Sequence, residues 1–357
     1  MSASERLTQL LGIEHAILLS PMAGSTNAGL VAAVSQAGGL GGYGGASTKA
    51  DGLARFVKEV RETTDRPFQV NLFAPSSELA GRLPEPGPVL QHALEEEHAR
   101  HDLGPVPQTR ALFGPAERQL EVLLELGVPV ISFHFGMERT HVDRIHAGGA
   151  VAICSATTVD EARALEQSGI DVIVAQGGEA GGHRGTFQGP WRQALIGTLA
   201  LVPAIVDAVS VPVVAAGGIM DGRGLVAAQA LGAAGVQMGT AFLGCVETPV
   251  SGAWRDALEK ASASDTTVTE AISGRPARGL RNRLVEVLEG VANAGELLPY
   301  PAQYAANSEL RRDAQGRGDV ELMAAWSGQG VDQFRRSTAA ELMEALLREA
   351  EDVRAAL

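Results

Sequence analysis

Apolar and polar positions change in blocks along the first two-thirds of the chain. Short runs of strand length, rich in Val, Ile, Leu and Ala, are followed by segments whose apolar residues recur at helical spacing. Strand-like runs fall at 16–21, 40–46, 68–73, 130–135, 151–155, 171–176, 211–216 and 236–243. Helical spacing follows at 27–36, with Asn27 as its cap, and at 48–61, 119–126, 158–167, 194–209 and 221–231. Eight strand–helix units are the count that closes a parallel barrel. The pattern therefore predicts the α/β class, a (β/α)8 TIM barrel over residues 1–248. An open doubly wound sheet is the runner-up, but it has fewer units. A Pro-rich, charged insertion at about 75–114 interrupts the outlet of the third strand. From Pro249 the alternation stops. Helices are predicted at 283–293, 302–311 and 338–357, so residues 249–357 read as a mainly helical extension packed on the barrel or over its mouth.

Composition narrows the class. The 357 residues are 45% hydrophobic, enough for one large core, and only 4% aromatic, so that core is aliphatic. A formal charge of −13 argues against nucleic acid as a partner, because phosphate repulsion meets no basic stripe. The two cysteines, Cys154 and Cys245, lie in strand-like runs without metal or disulfide spacing and read as structural thiols in a reducing compartment. The N-terminus lacks the apolar core of a secretory signal, and no apolar run approaches the roughly 20 residues of a membrane span. A soluble, cytoplasmic protein with no membrane partner is expected; a homodimer is allowed but not indicated.

Barrel enzymes carry their chemistry at the carboxyl ends of the strands. Those positions here are Met22, Asn71, His134, Gln176, Gly217, Gly218 and Thr240. The stretch DVIVAQGGEAGGHRGT (171–186) adds a loop with four glycines before His183, flanked by Glu179 and Arg184. Such a loop lets the backbone approach a ligand, and an imidazole at its end suits proton transfer near neutral pH. In VPVVAAGGIMDGRG (211–224) a strand runs into a diglycine turn and a helix start with Asp221 near the cap, where bare N–H groups make an anion site. GVQMGTAFLG (235–244) sets Gly239 and Thr240 toward the same anion, which points to a phosphate-bearing cofactor or substrate.

Other patterns carry less. GLGGYG (39–44) has the spacing of a dinucleotide fingerprint, but its glycines do not open a helix, so it reads as close backbone packing. His92, His98 and His101, interleaved with Glu95, Glu96 and Glu97, lack the spacing of a helical metal site and read as a solvated helix face, as do His141 and His146. No metal ligand set is expected, and no nucleophile elbow occurs.

Taken together, EAGGHRG (179–185), GGIMDGRGLVAAQALGA (217–233), QMGTAFL (237–243), PMAG (21–24) and QVNLF (69–73) resemble the FMN-dependent nitronate monooxygenases, formerly called 2-nitropropane dioxygenases. The resemblance spans about the first 290 residues. It departs where the family has prolines after Phe135–Gly136 and an arginine after Gly239–Thr240. It implies FMN held by Met22, Ala23, Asn71, Gln176, Gly181, Gly217, Gly218, Gln237, Met238, Gly239 and Thr240. Gly218 and the 237–240 group would lie at its phosphate and Met22 at its ring. It implies His183 as the catalytic residue, acting as base toward a nitroalkane or as electrostatic partner of an anionic nitronate. The reaction it implies joins the small-molecule nitronate with O2 to give a carbonyl compound and nitrite. Propionate 3-nitronate is the family's expected substrate, its carboxylate held by Arg184 or a basic side chain of the tail. The alternative in the same fold is an FMN-dependent enoyl-acyl-carrier-protein reductase or NAD(P)H:quinone reductase. From another class, a flavin-free barrel that senses a phosphate ligand competes. Trp326 reads equally as a pocket wall or a structural indole.

Overall fold

The computed structural model describes residues 1–74, 83–108 and 116–357; the expected ends of the insertion, Pro75 and Gly114, lie outside them. Eight parallel strands form one sheet. They are β1 Ile17–Leu19, β2 Gly41–Gly44, β3 Phe68–Phe73, β4 Val130–His134, β5 Val151–Ala156, β6 Val172–Gln176, β7 Val213–Ala216 and β8 Gly235–Met238. From β2 to β8 each strand pairs with the next, and β8 pairs with β1. A parallel bridge between Leu18 and Leu40, just ahead of β2, closes the barrel.

Alternation along these strands decides what reaches the barrel mouth, because successive side chains point to opposite faces. Ile131 and Phe133, Ala152 and Cys154, Ile173 and Ala175, and Val213 and Ala215 face outward into the layer shared with the helices. Val130, Ile153, Val172, Val174 and Val214 point inward and pack with Leu7, Leu11 and Ile13 of the N-terminal segment, whose helix Ala3–Leu11 the apolar pattern did not signal. At the carboxyl ends the same inward parity brings Asn71, Ser132, Ser155, Gln176 and Gln237 to the mouth. An aliphatic floor and a polar top thus follow from a period of two.

Asn27 and Asp221 cap where expected, and Thr158 does the same, each accepting from first-turn amides of its helix, while Thr338 opens the final helix with a capping box. Four runs end differently. The eighth strand stops at Met238, because Thr240–Gly244 winds into a 3-10 turn. The fourth stops at His134, because Phe135 takes φ +73°. The helix expected at 194–209 spans only Thr198–Val206, with Gly197 as its N-cap, and 302–311 divides into Ala302–Ala306 and Ser308–Arg317. GLGGYG is close packing: a Cβ on Gly41 or Gly44 would overlap the Val31 carbonyl or the Ala23 amide.

The C-terminal segment also contributes two strands, Thr266–Thr269 and Ala277–Leu280, and the second pairs antiparallel with Gly182–His183. The final helix Ala339–Ala356 buries Leu342, Met343, Leu346 and Ala350 in the outer layer of the barrel. Within the insertion, helix Pro88–Arg100 packs on helix Arg283–Asn293. Its face is not wholly solvated as expected. His92 is exposed, but Glu97 and His98 are buried, and Glu97 takes a bidentate pair from Arg283 at 2.6 and 3.1 Å. Among the described residues no helix is long and apolar enough to cross a membrane.

Candidate active site

A cavity of about 360 Å³ opens at the carboxyl ends of the strands. His183, Met22, Ala23, Asn71, Gln176, Gly181, Gly217, Gly218, Gln237, Met238, Gly239 and Thr240 all line it. It also takes in Ser132, Ser155, Tyr300, Tyr304, Trp326 and Gly328, which the sequence reading did not single out, Trp326 apart. Ser132 and Ser155 carried a usable signal, the same strand parity as Asn71 and Gln176. Tyr300 and Tyr304 carried a weaker one: two of only three tyrosines, four residues apart.

One end of the cavity is backbone. Gly217 at φ +120° and Gly218 at φ +72° turn the chain out of β7 in conformations that L side chains rarely adopt. Among the described residues, no group of the chain accepts from the N–H of Gly217, Gly218 or Gly239. The following helix start is less open than expected. Asp221 Oδ1 accepts from Arg223 N–H and Gly224 N–H at 3.0 and 3.2 Å, and Glu349 Oε2 accepts from Gly222 N–H at 3.0 Å. The amides left for an anion are those of the diglycine and Gly-Thr turns.

The other end is built from side chains. His183 lies within 5.5 Å of Tyr300 and of Trp326, centroid to centroid, with Tyr304 and Phe135 at 6.3 Å. The ring is therefore clamped, and its segment is a strand edge pinned by Ala277 and Arg278 rather than a mobile loop. Its Nε2 lies 3.0 Å from Ser273 Oγ. The Ser273 hydroxyl donates to the Arg275 carbonyl at 2.9 Å, which can only accept, so Nε2 carries the proton and Nδ1 is the nitrogen left to accept one. Burial is the main cause holding the His183 pKa down to about 3, and His134, Arg275 and Arg311 reinforce it. A ring poised near neutral pH is thus not what the fold delivers; the imidazole is held firmly neutral.

Hydrogen bonds fix the loop around it. The His183 carbonyl accepts from Gln176 Nε2 at 2.9 Å and His134 Nε2 at 3.0 Å, and Gly185 N–H donates to Gln176 Oε1 at 2.7 Å. Ser155 Oγ lies 2.6 Å from His134 Nδ1, so the hydroxyl donates there. Burial lowers the His134 pKa to about 4. Glu179 accepts from Thr198 N–H and Oγ at 2.8–3.0 Å and anchors the loop to the next helix. Arg184 does not face the cavity as expected. It is 1% exposed and donates to the carbonyls of Gly177, Gln176 and Ala194, so it braces the loop from behind. The tail cations near the site are Arg275, 4.0 Å over the Phe135 ring, and Arg311, 3.5 Å over the Tyr304 ring. Cys154 and Cys245 are buried free thiols, each pushed up to about 12 by burial.

A family model described as nitronate monooxygenase matches residues 4–349. A probable nitronate monooxygenase of Staphylococcus saprophyticus is 40% identical to the chain, covering 99% of each sequence. One of Staphylococcus aureus strain Newman is 41% identical over 91% of each. Among solved structures, nitroalkane oxidase from Streptomyces ansochromogenes is similar at TM-score 0.88 and 38% identity, and FabK from Thermotoga maritima at 0.77 and 31%. Both alignments cover 99% of either chain.

Proposed function

The chain belongs to the nitronate monooxygenase family, and on that premise we propose that it is an FMN-dependent oxidoreductase that converts alkyl nitronates and O2 to a carbonyl compound and nitrite. The observation that carries this reading is one cavity with an amide-lined anion end and a neutral imidazole among aromatic rings at the other. The residues present fit FMN. The unpartnered N–H groups of Gly217, Gly218 and Gly239 suit a terminal phosphate, and Met22, Asn71 and Gln176 line the same cavity. When bound, the flavin supplies the electron transfer between nitronate and O2.

The chain's own residues do the rest. His183 is the catalytic residue: its Nε2–H is spent on Ser273, and its Nδ1 is free to accept a proton or a hydrogen bond. Arg275 and Arg311 hold positive charge behind the aromatic wall. Burial, the main cause that disfavours protonated His183, disfavours a buried anion too, but the positive charges of Arg275 and Arg311 that reinforce it favour one, so the nitronate is the form proposed to bind. Propionate 3-nitronate is the substrate proposed, with its carboxylate toward these tail cations rather than Arg184. The test is oxygen uptake by the yellow holoenzyme with propionate 3-nitronate; no uptake, or a colourless protein, sinks the reading. The more distant likeness to FabK keeps a second reading, an FMN-dependent enoyl-acyl-carrier-protein reductase or NAD(P)H:quinone reductase. Anaerobic NAD(P)H would bleach the flavin in that case and leave it yellow in the first.

A further inference from the structure

Residues 326–337 cross the carboxyl ends of β7 and β8 on their way to the final helix. Gly328 N–H donates to Thr240 Oγ1 at 2.9 Å, and Gln329 N–H to the Glu179 carbonyl at 2.9 Å. A Cβ on Gly330 would sit 2.6 Å from Met220 Cγ and 2.9 Å from the Gly218 oxygen, and one on Gly181 would meet Gly328 N at 2.6 Å. This strap of tail therefore touches the His183 loop, the diglycine turn and the Gly-Thr turn together. Its far end is fastened. Arg335 pairs with Glu349 at 2.5 Å, and the second carboxylate oxygen of Glu349 accepts from Gly222 N–H at 3.0 Å. Arg223 reaches Gln333 at 3.3 Å. Neither Arg335 nor Glu349 lines the cavity.

We propose that Arg335 and Glu349 form a latch that positions residues 327–330 against the diglycine turn and so sets how tightly the phosphate-bearing cofactor is held. The proposal rests on the FMN reading above. Amides bind an anion well only when they are already oriented, and any ordering deferred to the binding step weakens affinity. The carboxylate of Glu349 ties the start of the helix after the turn, and Arg335 ties that carboxylate to the strap. Breaking the pair frees both sides at once, yet touches no reacting atom. Both are positioning residues.

The test dilutes the FMN-loaded protein and follows the return of free-flavin fluorescence. Arg335→Met and the near-isosteric Glu349→Gln should each raise the FMN Kd about tenfold, within the usual range of coupling between sites. At saturating FMN, kcat and the KM for propionate 3-nitronate should stay at wild-type values. Arg335→Lys, which keeps the charge, should recover most of the affinity. Arg354→Ala, exposed on the same helix and bonded to Gln229, should change nothing. Wild-type affinity in both Arg335→Met and Glu349→Gln, or equal weakening in Arg354→Ala, overturns the latch. A wild-type protein that takes up no FMN instead refutes the functional reading beneath it.

Discussion

At the amide end of the cavity, the groups turned toward a ligand are N–H groups of Gly217, Gly218 and Gly239, all placed by the turns that follow β7 and β8. At the imidazole end they are side chains, and they come from segments far apart in the chain: His183, Tyr300, Tyr304 and Trp326, with Ser273 behind. A backbone site is harmed by adding atoms, and a side-chain site by removing them. The first should govern whether the cofactor is held, the second what happens once it is held.

The sharpest break of that contrast is His183→Asn. Turnover should fall roughly 10²–10⁴-fold, the usual worth of a positioned proton-transfer group, while FMN content per protein stays at the wild-type level. Loss of flavin together with turnover would mean that the two ends are not separable. Next in size is Gly217→Ala. A side chain at φ +120° is strained, and its Cβ would lie 3.0 Å from the Ala180 amide nitrogen and from Thr198 Oγ1. Strain of about 1–3 kcal/mol should weaken FMN binding roughly 10- to 100-fold, with turnover per bound flavin unchanged. A variant that keeps its flavin but loses turnover would reverse the assignment.

The remaining prediction concerns acid, and it reads stability rather than function. His183 and His134 titrate near 3 and 4 in the fold, against about 6.5 when unfolded. Below that value the unfolded chain takes up protons that the folded chain refuses. Stability present in full above pH 6.5 is therefore lost progressively toward pH 4, with a slope of about 1.4 kcal/mol per pH unit for each histidine. Urea melts at pH 7, 6 and 5 should show this slope, and His134→Gln should lessen it. A slope equal in wild type and variant would place the protons elsewhere. Because the ring is neutral throughout, kcat/KM should show no His183 titration between pH 5 and 9.

The barrel was legible because its strands are short apolar runs that alternate with segments of helical spacing, and both signals are local. Asn27, Thr158 and Asp221 cap as their residue types require, and the parity that buries Val172 and Val174 carries Gln176 to the mouth. The glycine turns were legible for the same reason, since the angles found at 217 and 218 are ones that L side chains rarely adopt. Even so, the loop was misjudged in two respects. Arg184 follows His183 directly, but points the opposite way into a cage of three carbonyls. The imidazole that local sequence suited to proton transfer near neutral pH is clamped and firmly uncharged.

What the chain's order of residues determined by itself was the barrel, the glycine turns, and the presence on the rim of His134 and, in the glycine-rich loop, of His183. Only the tertiary structure decided what surrounds His183. Its strand partner lies at 277–278, its hydroxyl acceptor at 273, and its ring neighbours at 300, 304 and 326. Periodicity and capping act over a few residues and can be read along the chain. Desolvation, ring packing and the sign of the local field depend on which distant segments meet, and that is settled by how the tail folds back over the barrel.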